Sequence, residues 1–123
     1  MTKKKKYENL LFQLQKRSLS TVPYHENIEN IERFFCDFFP FYLAVHKVSF
    51  DDPNFLKYTQ LHKHDEDELN IIISEDSNLE YLLQIEDEEY KITSNSAIYI
   101  PKHHLHSANV IRGRGFYIAL RLK

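Results

Sequence analysis

The chain has 123 residues, 42% of them hydrophobic, with 16 basic and 18 acidic side chains and a formal net charge of −2. That length fits one domain with a single closed core, and the near-neutral balance excludes a general electrostatic pull toward nucleic acid or anionic membrane. The lone cysteine, Cys36, excludes an internal disulfide and fits a reducing compartment.

No apolar run approaches the ~20 residues of a membrane span. The stretch Leu10-Leu11-Phe12 is cut short by Gln13, so no signal peptide is expected. The expectation is a cytoplasmic protein. In chain order, Lys3 to Lys6 read as a frayed, solvated tail. Residues 7–17 carry Tyr7, Leu10, Leu11 and Leu14 at helical spacing, which predicts a first helix that Pro23 follows and breaks. Residues 27–39 predict a second helix, with Ile28, Ile31, Phe34, Phe35 and Phe38 on one face and Pro40 as its stop. Such an aromatic face needs cover, from a barrel or from a second subunit. Cys36, with no histidine local to it, reads as a small buried hydrophobe.

From residue 41 the period becomes two. Residues 41–50 predict a strand carrying His46, and residues 51–54 a turn. Residues 56–64 predict the next strand, whose even face (Tyr58, Gln60, His62, His64) is polar-aromatic, as a pocket wall would be. After the turn 65–67, a strand over 68–74 sets Glu68, Asn70 and Ile72 against Leu69, Ile71 and Ile73. A turn over 75–78 leads to strands at 79–85 and 89–93 around an acidic hairpin, then to strands at 97–101 and 105–111. Arg112-Gly113-Arg114-Gly115 reads as a last hairpin before a closing strand at 116–122. Gly113 and Gly115 are the only glycines, so the other turns rely on Asn, Asp and Ser. Two helices followed by about eight short strands indicate a sandwich or barrel.

Five of the seven histidines lie within residues 62–64 and 103–106. On a strand, residues two apart share a face, so His62 and His64 converge, Glu68 re-enters on the next strand, and His106 can close the set. Three imidazoles and a carboxylate suit one divalent transition metal, whether Fe, Mn, Ni, Co or Zn. Gln60, Asn70 and Tyr58 are candidates to steady these ligands. Tyr58, Tyr99 and His104 are candidate catalytic groups, with His103 and His46 also available for acid–base work. Arg121 can meet an anionic substrate if its face of the last strand turns inward. No phosphate loop, nucleophile elbow, zinc finger or aromatic-basic stripe is present.

The pattern His62-x-His64-x-x-x-Glu68 with Pro101-x-His103-x-x-His106 resembles the two signature motifs of the cupin superfamily. The resemblance implies a mainly β fold, a double-stranded β-helix (jelly-roll) barrel over residues 41–123, preceded by a tail and two helices over residues 1–40. It implies His62, His64, Glu68 and His106 as metal ligands. The chain departs from the family pattern at Glu75, Asn95-Ser96 and His103, positions where glycine or Gly-Asp is usual, but at none of the four ligands. The implied function is a metal-dependent enzyme of dioxygenase, isomerase or lyase type acting on a small polar or anionic metabolite. The alternative is a non-catalytic small-molecule-binding cupin resembling the sensor domain of AraC-type regulators. A homodimer is expected, through the Phe34, Phe35 and Phe38 face or the Leu69, Ile71 and Ile73 face. Neither a nucleic-acid nor a membrane partner is expected.

Overall fold

A computed structural model describes residues 5–26, 28, 30–51, 55, 57–76 and 78–123. Among these residues eight strands carry the fold: β1 (Gln15–Lys16), β2 (Ile31–Phe38), β3 (Phe41–Phe50), β4 (Glu68–Ile73), β5 (Glu80–Ile85), β6 (Glu88–Thr93), β7 (Ser96–Ile100) and β8 (His106–Leu122). All pairings are antiparallel, in the order β1-β2-β3-β8-β4-β7, with β5 joined to β8 and to β6. Among the described residues no helix is long and apolar enough to cross a membrane.

Among the described residues neither expected N-terminal helix forms; Asn27 and Glu29 of the second lie outside them. Residues 7–17 contain only a single 3-10 turn at Glu8–Leu10 before extending into β1. Leu10, Leu11 and Leu14 stay exposed, so the helical stripe has nothing to bury, and a short helix without packing is marginal in water. The second expected helix is the strand β2. Its phenylalanines favour a pleated surface as readily as a helix, and eight register pairs to β3, from Ile31↔Val48 to Phe38↔Phe41, settle the competition. Pro40, read as a helix stop, lies in the tight β2–β3 turn, where a missing N–H is harmless. The expected tail at Lys3 and Lys4 lies outside the described residues. So do Asp52, Pro53 and Asn54 of the expected turn, Leu56 of the following strand, and Ser77.

The last hairpin is also absent. Residues 106–122 are one strand, β8, pairing with β5 through residues 106–112 and with β3 and β4 through its second half. Seventeen straight residues would run about 55 Å, far beyond a domain of this size, so the strand must bend. It does so at Gly113 (φ +107°) and Gly115 (φ +152°). A Cβ at Gly113 would lie 2.2 Å from the Asn78 carbonyl oxygen, and one at Gly115 2.2 Å from that of Ile73. Glycine is needed for the bend and for the close approach of the neighbouring chain.

The interior is built by alternation. Ile31, Val48, Phe50, Ile72, Leu79, Tyr81, Val110 and Tyr117 form one buried cluster with Leu19, Ile28 and Tyr58. Residues 57–64 are extended but not a regular strand: they form the isolated bridges His25↔Thr59 and His62↔His106. The buried Asn109 side chain holds this segment, its Oδ1 accepting from the N–H of Tyr58 (2.9 Å) and of Thr59 (2.8 Å).

Candidate metal centre

Register places three rungs of side chains on the inward face of β3, β8 and β4. The first is Tyr42, Arg121 and Glu68; the second Ala44, Ala119 and Asn70; the third His46, Tyr117 and Ile72. The two alanines leave space where larger side chains would fill the barrel. The result is a cavity with about 570 Å³ of empty space, counted out into its open mouth. Residues 19–25 close one side of it with Leu19, Val22 and His25.

His62, His64, Glu68 and His106 all border this cavity. His62 and His106 are fixed to each other by paired backbone hydrogen bonds of 3.0 and 2.8 Å. The ring centroids lie 4.9 Å (His62–His64), 4.6 Å (His62–His106) and 5.2 Å (His64–His106) apart. One nitrogen from each of the three lies within 4.8 Å of the others, a set that could hold a metal ion. The Glu68 carboxylate reaches both sides of the cluster, 3.6 Å from His64 Nε2 and 3.6 Å from His106 Nε2.

The hydrogen bonds decide which nitrogens are free. His62 Nδ1 donates to the Gln60 carbonyl at 2.7 Å, and His106 Nδ1 to the His104 carbonyl at 2.9 Å. A carbonyl only accepts, so both rings keep their lone pair at Nε2. His106 Nε2 is buried and has no hydrogen-bond partner, which is the condition of a nitrogen awaiting a ligand. His64 differs. Arg121 Nη1 donates to its Nδ1 at 2.7 Å, which puts the proton on Nε2. An ion could take that nitrogen only as the Arg121 bond gives way.

Burial lowers the pKa of His62, and burial together with Arg121 lowers that of His64 to about 3, so both rings are neutral at neutral pH, and His62 is already in the ligating tautomer. Glu68 is steadied by Asn70 Nδ2 at 2.8 Å, and Asn70 in turn receives the Tyr117 hydroxyl. Thus the donor set fits a divalent transition ion: two preset Nε2 atoms, a third nitrogen, and an anchored carboxylate.

The other sequence candidates scatter. Tyr58 is buried in the cavity wall, where burial pushes its phenol well above the ordinary value. Tyr99 is 59% exposed and bound to Asp67, on the face of β7 away from the cavity. His104 is exposed and contributes through its carbonyl. His103 takes a left-handed turn (φ 69°), donating its N–H to the His64 carbonyl at 2.8 Å. Gln60 also acts through its backbone, its side chain being exposed, whereas Asn70 steadies a ligand directly. His46 lies buried in the wall against Tyr117.

Sequence reasoning missed Arg33, Tyr42 and His25, which also line the cavity. For Arg33 a signal existed: on a strand it shares parity with the buried Ile31. Reading residues 27–39 as a helix hid it. Arg121, expected to meet a substrate only if its strand face turned inward, does face inward, between His64 and Glu68.

No protein-family model matches the chain, and no curated protein does. Solved structures do. The chain is similar to KdgF from Halomonas sp. (16% identity, TM-score 0.56, covering 80% of this chain and 86% of that one). It is similar to an RmlC-like cupin from Shewanella frigidimarina (16% identity, TM-score 0.58, 90% and 94% covered). It also resembles Fe(II) HppE, with 13% identity and a TM-score of 0.62, over 89% of this chain and 57% of that protein. At these identities the likeness is one of architecture alone: the chain shares the antiparallel β fold of these cupin-type structures.

Proposed function

We propose that this chain is a metal-binding cupin that holds one divalent transition ion through His62, His64, Glu68 and His106. In this reading it is an enzyme of dioxygenase, isomerase or lyase type acting on a small polar or anionic metabolite. The observation that carries the proposal is the buried, partnerless His106 Nε2, which faces the Glu68 carboxylate beside two further imidazoles. Two of the similar structures are HppE in an Fe(II) form and Fe(II)-HppE with an alternative substrate, which supports metal-centred small-molecule chemistry by analogy of fold.

Each residue has a definable task. The Gln60 and His104 carbonyls keep His62 and His106 in the ligating tautomer. Asn70 and Tyr117 hold Glu68 in place. Tyr58, kept protonated by burial, shapes the wall and cannot serve as a base at neutral pH. Residues 19–25 screen one side of the cavity from water. A divalent ion held there supplies Lewis acidity to an oxygen group of the substrate.

The same screening segment favours a second reading, a binding protein that encloses its ligand without turning it over, as in the sensor domains of AraC-type regulators. The protein is taken to work in the cytoplasm as a homodimer. Support for the dimer comes from the outward face of the sheet, where Val45, Ile118 and Ile71 lie side by side in register.

Elemental analysis of protein purified without an affinity tag or chelator, beside His62→Ala/His106→Ala, tests the reading. About one equivalent of a transition metal, lost in the double variant, is expected. A folded wild-type protein that carries no metal and takes none up on reconstitution would overturn it. A ligand recovered unchanged from the metal-loaded protein would favour the binding protein over the enzyme.

A further inference from the structure

Arg33 is 5% exposed, on the inward parity of β2 opposite His46, and it borders the cavity. Its Nη2 donates to the Tyr42 hydroxyl, and its guanidinium packs 4.5 Å from the Phe35 ring centroid. No carboxylate among the described residues forms an ion pair with it. The contrast with the arginines of β8 is plain: Arg112 pairs with Glu80 at 3.1 Å, Arg114 with Asp51 at 3.4 Å, and Arg121 approaches Glu68 at 3.9 Å. A buried guanidinium without a counter-charge is costly, and buried charges are as a rule paired.

Tyr42 stands between two cations. Arg33 meets its hydroxyl, and the Arg121 guanidinium lies 4.0 Å from its ring centroid, with a buried Nε that has no hydrogen-bond partner. Against these two cations the described lining of the cavity offers one carboxylate, Glu68. Burial holds His46 neutral, so it does not alter the balance at neutral pH. The space beside this group is the gap left by Ala44 and Ala119, continuous with the histidine cluster.

We propose that the cavity takes a ligand bearing an oxyanion, a carboxylate or a phosphoryl group, seated on Arg33 and the Tyr42 hydroxyl with Arg121 at its flank. Arg33 keeps donors to spare after its bond to Tyr42, and the planar fork suits two oxygens of one anion. The anion site stands on its own geometry; its role as the anchor of a substrate rests on the function proposed above.

The test uses the full chain stripped of metal by a chelator that is then removed. Malonate, inorganic phosphate and, as a neutral control, glycerol are titrated by calorimetry and by thermal shift. Malonate or phosphate is expected to bind and to raise the melting temperature, with glycerol inert; which anion binds tighter separates a carboxylate from a phosphoryl ligand. Arg33→Gln is expected to weaken the anion roughly tenfold or more, the scale of a lost charge-assisted hydrogen bond. Tyr42→Phe, which keeps the packing and serves should Arg33→Gln fail to fold, is expected to weaken it by a smaller factor. Wild-type protein that binds neither anion, or folded variants that bind as tightly as wild type, would overturn the proposal and leave Arg33 a structural residue. Anion binding by a protein that never takes up metal would sustain this site while refuting the metal centre, and metal uptake without anion binding would do the reverse.

Discussion

Asn109 is not one of the four proposed ligands, yet it fixes the segment that carries two of them. Its Oδ1 accepts from the N–H of Tyr58 and Thr59, and its Nδ2 donates to the Thr59 carbonyl at 3.3 Å. Asn109→Ala removes all three bonds and leaves two buried N–H groups without partners. Each such orphan costs about 1–3 kcal/mol, so the loss is about 4 kcal/mol. A chain of this length loses roughly 0.26 kcal/mol of stability per degree near its midpoint, which translates the loss into a fall of about 15 °C in Tm. A second effect accompanies the first. With residues 57–64 loosened, His62 and His64 are less well aimed, and affinity for Co2+ falls together with Tm. Thermal denaturation by circular dichroism and calorimetric Co2+ titration read the two effects. A Tm within about 3 °C of wild type, with unchanged Co2+ affinity, would refute the view that this side chain organises the site.

Gly115→Ala is expected to cost more than about 3 kcal/mol, because the added Cβ meets the Ile73 carbonyl oxygen in a backbone conformation that L side chains rarely adopt; urea denaturation measures it, and a near-neutral result would mean that the bend lies elsewhere. Burial holds His46 down at about 3, against an ordinary 6.5. The unfolded chain therefore takes up a proton between those values that the folded one refuses, so this contribution is intact above about pH 6.5 and is lost progressively as the pH falls toward 3. His46→Gln should flatten the fall in unfolding free energy over that window, and an unchanged slope would show that His46 titrates in the fold. Ile71→Lys with Ile118→Glu should convert the proposed dimer to a monomer in sedimentation velocity at unaltered secondary structure; wild-type protein already monomeric at high concentration would dispose of the interface.

How much could be read from the sequence depended on how local the information was. The alternation in residues 41–50 and 68–74 is continuous, and both segments are strands at nearly those bounds. The histidine cluster was legible because His62-x-His64 is a local pattern and His106 follows a proline-led turn. Residues 31–38 were misread because Ile31, Phe34, Phe35 and Phe38 satisfy a helical stripe, while the deciding partner, β3, lies across a turn. Gly113 and Gly115 look like a hairpin because the same left-handed freedom serves a turn and a bend; only the neighbouring carbonyls of Asn78 and Ile73 distinguish the two. Arg33 and Tyr42 were invisible as a pair. They stand nine positions apart on two strands, and their meeting depends on the register of the hairpin and the small size of Ala44.

The bend in β8 bears on the order of events during folding. His106 lies at one end of this strand and Arg121 near the other, and both reach the same cavity only once residues 106–112 have joined β5 and the rest has joined β3 and β4. An unfolded chain offers an ion only partial, local sets, His62 with His64 and, far along the chain, His106 with His103 and His104. Full chelation must then wait for long-range pairings that close slowly, and an ion arriving early cannot template the barrel. It can only retain a barrel already closed, and its binding would mark the chains that have completed the final strand.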